Sequence, residues 1–329
     1  MPTNVLVTGG AGYIGSHTCK SLSRASYLPV VLDNLVSGHR WAVKWGPFVE
    51  GNLADGDLLH QVMREHQIQA VVHFAAYAYV GESVQVPEKY FRNNVINTLN
   101  LLEAMRAADV RRIVFSSSCA TYGLPEIVPI REDAPQRPVN PYGESKLFVE
   151  RALHWLGNAY GLRWAALRYF NAAGSDPDAE LGEDHDPETH LIPLAIQSAL
   201  GRRPYVEVYG TDYDTPDGTA IRDYIHVTDL AEAHVLALSH LLDRDDSLAV
   251  NLGTGQGHSV REVIHVVESV SRRSVLLREG ARRPGDPPTL VADASRAREL
   301  LDWQPRHSSL MNIVGTAFDW HQRQSVTAT

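Results

Sequence analysis

Asn4-Val5-Leu6-Val7-Thr8-Gly9-Gly10-Ala11-Gly12-Tyr13-Ile14-Gly15 decides the fold. An apolar run ends in a turn with glycines at 9, 12 and 15, and an amphipathic segment over 12–25 follows. Glycine at this GxxGxxG spacing permits a tight turn from strand to helix. It also lets backbone N–H groups approach a pyrophosphate and lets the helix pack close to the sheet. The next apolar run, 29–33, ends in Asp33, 18 residues after Gly15. A carboxylate there is placed to accept both hydroxyls of an adenosine ribose. A 2′-phosphate in the same place would meet a like charge at a cost of about 1–4 kcal/mol. The pattern therefore favours NAD over NADP.

Outward from this turn, short apolar runs alternate with longer amphipathic segments. The predicted strands are 4–8, 29–33, 69–75, 111–117 and 163–169; the predicted helices are 12–25, 57–66, 88–108 and 143–159. Ala70-Val71-Val72-His73-Phe74 is almost continuously apolar, as in a parallel strand covered on both faces. With right-handed crossovers this gives an α/β, doubly wound parallel sheet over 1–171. After Asn171 the rhythm breaks. Stretches 172–188, 201–218 and 282–288 are rich in turn residues, and helical spacing is confined to 191–200, 227–242 and 260–270. That suits a smaller C-terminal α/β domain over 172–329, built to wrap a ligand. Helix 227–242 and strand 248–252 are candidates for a return of about 222–252 to the first unit, a crossing the sequence leaves open.

The chain's 329 residues are enough for about two domains. It is 44% hydrophobic and 21% charged, with a mean hydropathy of −0.21. No apolar run approaches the roughly 18 residues of a membrane span, and Val5-Leu6-Val7 is too short for the core of a signal peptide. A net charge of −9, from 30 basic and 39 acidic residues, argues against a nucleic-acid or anionic-membrane partner. Two cysteines, Cys19 and Cys119, make no disulfide framework and point to a reducing cytoplasm. Fifteen histidines invite a metal reading, but HExxH and CxxC are absent. The nearest clustered pair, His185 and His190, sits in a polar stretch with looser spacing than metal ligands usually show, so no metal is expected.

Tyr142 and Lys146 stand four apart after Asn140-Pro141, on one face of a predicted helix. Free tyrosine titrates near pH 10. A neighbouring ammonium and a cationic nicotinamide would both favour the phenolate and bring it toward a working base. Ser116-Ser117-Ser118 ends a buried strand at its carboxyl edge, where open α/β sheets bind ligands. Ser118 lies within reach of the same chemistry, 24 residues before Tyr142.

These residues carry a resemblance. Thr8–His17, His73–Ser83 (HFAAYAYVGES), Asn93–Met105, SSSCATYG from Ser116 and NPYGESK from Asn140 are similar to the extended short-chain dehydrogenase/reductase family, Rossmann-like in fold. LRYFNAAGSDP from Leu167, DGTAIRDYIHV from Asp217 and RRPGDPP from Arg282 resemble its nucleotide-sugar 4-epimerases, in particular the branch acting on UDP-glucose and UDP-galactose. The resemblance implies a tightly bound NAD and a UDP-sugar substrate. Tyr142 would take the 4-hydroxyl proton as the C4 hydride passes to NAD. Lys146 would hold the nicotinamide ribose and Ser118 would assist at the same oxygen. The 4-keto sugar would then swing about its diphosphate tether and take the hydride back on its other face.

By the same resemblance, the cofactor lies along Gly9, Gly12, Tyr13, Ile14 and Gly15, then Asp33 and Asn34, then Asn52 and Leu53. Phe74, Ala75 and Ala76, with Asn94, Ser116 and Tyr169, complete its site. Asn171, Arg222 and Arg283 are implied on the diphosphate and uridine, and Asp286 on the uridine ribose; His190, Leu191, Tyr209 and Leu290 join them. Arginine suits a diphosphate because its fork matches the oxygens. Asn52, Ala78 and His190 stand where relatives carry Asp, Lys and Asn. Leu290 is intermediate between the bulky and small residues found at that place, which leaves acceptance of N-acetylated sugars open. Some of these segments also resemble the epimerases of UDP-xylose and UDP-arabinose. A 4,6-dehydratase needs an Asp-Glu pair where Cys119 and Ala120 stand, so dehydration is disfavoured. A net oxidoreductase would release NADH. A non-catalytic dinucleotide sensor would have no use for Tyr142, Lys146 and Ser118. Leu99, Leu102, Met105, Phe148, Leu153 and Trp155 lie on two helices that family members pair with their copies, so a homodimer is expected.

Overall fold

The computed structural model describes residues 2–244, 246–283 and 285–327. Its strands are β1 (Asn4–Thr8), β2 (Leu28–Asp33), β3 (Phe48–Glu50), β4 (Ala70–His73), β5 (Arg112–Ser118), β6 (Arg163–Tyr169), β7 (Asn171–Ala173), β8 (Val206–Tyr209), β9 (Ile221–His226), β10 (Leu248–Leu252), β11 (Gly257–Ser259), β12 (Leu277–Gly280) and β13 (Thr289–Leu290). Seven of them form one all-parallel sheet in the order β10-β6-β5-β4-β1-β2-β3. The chain runs outward from β1 in both directions, which opens a crevice at the carboxyl ends of β1 and β4, where Thr8 pairs with His73.

Alternation within each strand explains the continuous apolar runs. Val5 and Val7 enter one buried cluster, with Leu22 of the first helix, while Leu6 enters the other, with Leu59 and Leu101. Helices α1 (Tyr13–Arg24), α2 (Gly56–Glu65), α3 (Val80–Gln85), α4 (Pro87–Tyr90), α5 (Asn97–Ala107), α6 (Pro141–Tyr160), α7 (Leu191–Ala199), α8 (Val227–Asp243), α9 (Val260–Ser271), α10 (Ser295–Leu301) and α11 (Leu310–Thr327) cover these faces and build the second unit. A third cluster gathers Ile192, Ile196, Val206, Val208, Val263, Val267 and Ile313 from α7, α9, α11 and β8. α8 packs on α1 and β5, and β10 pairs in parallel with β6, Leu252 beside Tyr169. The crossing left open by the sequence thus runs back to the large sheet.

Three expectations need correction. The single helix over 88–108 is broken: α4 and α5 flank a π-helical turn over Phe91–Ile96. The wider turn carries Asn94 inward, where its amide accepts from the Tyr77 N–H at 2.9 Å and donates to the Tyr77 carbonyl and Ser145. Strand β3 escapes the periodicity reading because it has three residues and follows Gly46-Pro47. The turn-rich stretch 201–218 contains β8, whose Val206 and Val208 are buried on one face. Among the described residues no helix is long and apolar enough to cross a membrane.

Candidate active site

The turn after β1 is a cradle with no room for side chains. Gly9 has φ +72°, and a Cβ there would lie 2.6 Å from the Ala75 nitrogen; a Cβ on Gly15 would strike the Gly9 carbonyl. Gly12 caps α1 without a side chain, and the first turn holds no acidic residue. The helix's first N–H groups and its dipole therefore face whatever lies over the turn. Phe74 and Ala75 donate their N–H groups to the Thr8 carbonyl, closing β4 against the turn. Asp33 is buried, with Oδ2 accepting from the Ala11 N–H at 3.0 Å and Oδ1 from that of Leu35 at 2.9 Å. Burial raises its pKa while these N–H groups oppose the rise. Asn34 and Asn52 each accept a backbone N–H two residues on, from Val36 and Ala54, and Leu53 is buried in the sheet core. This tight glycine turn, open helix end and oriented carboxylate fit a dinucleotide.

The residues expected to carry the chemistry meet at the carboxyl end of β5. Asn140 caps α6 by accepting the Gly143 N–H at 2.8 Å, with Pro141 as the first helical residue. The cap sets the helix phase that turns Tyr142 and Lys146 to the sheet, where both are buried. The Lys146 ammonium donates to the Ser116 carbonyl at 2.7 Å and lies 5.8 Å from the Tyr142 ring centre. Ser118 Oγ accepts the Ala120 N–H at 3.1 Å and faces the Tyr142 hydroxyl, where it favours the ionised form. Ser116 Oγ and the Tyr169 hydroxyl are 2.8 Å apart.

The electrostatics differ from the sequence expectation. Burial pushes the Tyr142 phenol up, with the Ser118 hydrogen bond opposing. Burial also lowers Lys146 to about 7, against the pull of Glu150. The protein alone therefore holds Tyr142 as the phenol. A cation beside the ring is required to favour the phenolate.

Sequence reasoning missed the supports beneath this site. His73 bridges Thr8 and Thr98 at 2.6 and 2.8 Å, tying β4 to β1 and α5. Glu150, one turn beyond Lys146, pairs with Arg168 at 2.6 Å and accepts from Ser117 at 2.5 Å. The available signals were an ionisable residue inside each apolar strand, His73 and Arg168, and the four-residue step from Lys146 to Glu150.

The implied substrate residues come from β7, β9, β13 and the loops beside them. Leu290 pairs with Arg222 across β13 and β9 and packs beside Phe170 and Cys119. Burial pushes the Cys119 thiol up to about 12, and the Arg222 charge opposes the rise. Arg222 donates to Asp286 at 2.5 Å and to the Pro287 carbonyl at 2.9 Å. Arg283 lies over the Tyr209 ring at 4.0 Å. Asn171 opens β7 opposite Tyr224, and Leu191 begins α7. Two of these expectations look different in the folded chain. Arg222 and Asp286, implied on separate parts of the ligand, are joined to each other. His190 has its Nδ1 held at 2.9 Å from both Glu183 and Glu188. The loose His185–His190 spacing is closed by folding, and both imidazoles meet the same two carboxylates.

The family described as NAD dependent epimerase/dehydratase matches residues 5–253. The chain is 52% identical over 322 residues to a UDP-glucose 4-epimerase of Rhizobium meliloti (strain 1021), covering 98% of each protein. Among solved structures it is similar to the UDP-glucose 4-epimerase of Brucella ovis in complex with NAD: TM-score 0.94, 56% identity, 96% of this chain and 98% of that one. The UDP-glucose 4-epimerase of Bifidobacterium longum in complex with NAD+ and UDP gives a TM-score of 0.94 at 39% identity, covering 98% of this chain and 99% of that one.

Proposed function

The chain belongs to the NAD dependent epimerase/dehydratase family, and on that premise we propose that it interconverts UDP-glucose and UDP-galactose by inverting the sugar's C4. One observation carries the reading: Tyr142, Ser118 and Lys146 meet at the carboxyl edge of a dinucleotide fold in a chain about half identical to UDP-glucose 4-epimerases along its whole length. When bound, NAD accepts the C4 hydride and supplies it again to the other face of the sugar. The chain's own groups manage the proton and the tether. Tyr142 exchanges the proton of the 4-oxygen, and Ser118, beside its hydroxyl, orients that oxygen. Lys146, when protonated, and a bound nicotinamide cation would together offset the burial of the phenolate.

Gly9, Gly12, Tyr13, Ile14 and Gly15 would hold the pyrophosphate, and Asp33 and Asn34 the adenosine ribose. Asn52 and Leu53 would lie by the adenine. Phe74, Ala75, Ala76, Asn94, Ser116 and Tyr169 would line the nicotinamide side. Arg222, Arg283, Asn171 and Asp286 would anchor UDP, with His190, Leu191, Tyr209 and Leu290 around them. The division of labour assigns NAD to residues 1–171 with the return over 222–252, and the UDP-sugar to the remainder.

We also propose a cytoplasmic homodimer. Of the six apolar residues singled out on the two helices, Leu102, Met105 and Leu153 are buried, whereas Leu99, Phe148 and Trp155 are 40%, 51% and 70% exposed. Three large apolar side chains left in water on neighbouring helices suit a self-complementary contact.

The test is UDP-galactose carrying deuterium at C4. The label is expected in UDP-glucose, with no NADH accumulating in the medium. Loss of label to water, or stoichiometric NADH, would overturn the reading.

A further inference from the structure

Ahead of α7, Glu183, His185, Glu188 and His190 converge so that one ligand atom from each lies within 4.8 Å of all the others. His190 Nδ1 is 2.9 Å from Glu183 Oε1 and 2.9 Å from Glu188 Oε1; His185 Nδ1 is 3.3 Å from Glu183 Oε1 and 3.7 Å from Glu188 Oε2. Bonds of about 2.0–2.1 Å from a tetrahedral ion would place its ligands roughly 3.3–3.5 Å apart. The observed spacings straddle that edge. We infer that these four side chains form a binding site for one divalent transition-metal ion of the zinc type.

Three further observations support the assignment. His185 Nδ1 is sealed from solvent and faces Glu183 and Glu188 without an aligned hydrogen bond to either. Glu188 is oriented from behind, its Oε1 accepting the N–H groups of Thr189 at 2.7 Å and His190 at 2.8 Å, and the ring edges of Tyr13 and Tyr79 flank His185. Such supporting contacts are what hold metal ligands in place. The neighbouring acidic cluster gives the contrast. Asp176, Asp178 and Glu180 already share the Lys20 ammonium at 2.7, 2.9 and 2.6 Å, so their cation is covalently part of the chain.

At the His/Glu set the cations are only protons. Burial works against the charge, yet Glu183 and Glu188 outweigh it and hold His185 up at about 9 and His190 at about 10. Two carboxylates and two imidazolium ions sum to zero, as do two carboxylates, two neutral imidazoles and one divalent ion. Imidazole donors select zinc-like ions over magnesium.

The test uses the full chain after chelator treatment and dialysis, titrated with zinc chloride against a chromophoric chelator. One ion per chain is expected. X-ray absorption should find two imidazole nitrogens and carboxylate oxygens around the zinc. His185→Gln and Glu183→Gln should each weaken binding by at least about 100-fold, and His265→Gln should not. Binding that is equal in all three variants, or an absorption spectrum of the unmodified protein with fewer than two imidazoles, would overturn the site. The spectrum decides the matter even if a variant fails to fold.

Discussion

Tyr142, Lys146 and Ser118 stand on a 20-residue helix and the end of a seven-residue strand, buried and held by main-chain geometry. Arg222, Arg283 and Asp286 come from a six-residue strand and the loop that crosses it, and they are satisfied by one another and by Tyr209. The contrast separates two tasks. Proton transfer, the task proposed for the first set, tolerates little displacement, and its groups ride on rigid elements beneath which Glu150, Arg168 and His73 are locked. Anchoring a flexible diphosphate, the task proposed for the second set, needs charge that can be redirected, and Arg222 on β9 with Arg283 in the loop after β12 would supply it. The Arg222–Asp286 pair keeps two partly buried charges compensated.

The sharpest way to break this comparison is Tyr142→Phe. Turnover is expected to fall by about 10³-fold or more, while calorimetric titration with UDP finds the affinity within about twofold of the unmodified protein. A matching collapse in UDP binding would show that the two regions are not separable. Arg222→Ala should do the reverse. Losing charge-assisted hydrogen bonds should raise KM for UDP-glucose roughly 10- to 100-fold with kcat within a few-fold, read from steady-state rates.

A pH experiment sharpens the rigid side. In cofactor-free protein, folded Lys146 titrates near 7 because of burial, whereas an unfolded lysine titrates near 10.5. Below pH 7 both states carry the proton, and the cost of burying the ammonium is present in full. Between 7 and 10.5 only the unfolded state binds it, so stability rises with pH across that window. Lys146→Met removes this contribution. Urea unfolding should therefore show wild type gaining on the variant from pH 6.5 to 9.5; a constant gap would refute a buried, titrating lysine.

The smallest effect is expected at Leu290, which packs against Phe170 and Cys119. Leu290→Ala should improve kcat/KM for UDP-N-acetylgalactosamine relative to UDP-galactose by about 5-fold. No change in that ratio would remove Leu290 from the sugar's surroundings.

How much was legible depended on the distance over which each feature is encoded. Strands 4–8 and 163–169 coincide with the observed β1 and β6, because their apolar runs are long and bounded by turn residues. The four-residue step from Tyr142 to Lys146 needed only helical geometry. The break at Phe91–Ile96 was not legible, since it exists to turn Asn94 onto Tyr77 and Ser145, the latter 51 positions away. Nor was the electrostatic state of Tyr142, because burial is a property of the assembled site.

The sequence by itself determined the doubly wound half, its glycine turn and the spacing of Tyr142 and Lys146, since periodicity, turn chemistry and helix pitch act between near neighbours. Only the tertiary structure decided that β10 returns to the large sheet, that Arg222 meets Asp286 across 64 positions, and that four side chains ahead of α7 share one centre. Those contacts depend on where the packed chain closes upon itself, and no local pattern of residues encodes that closure.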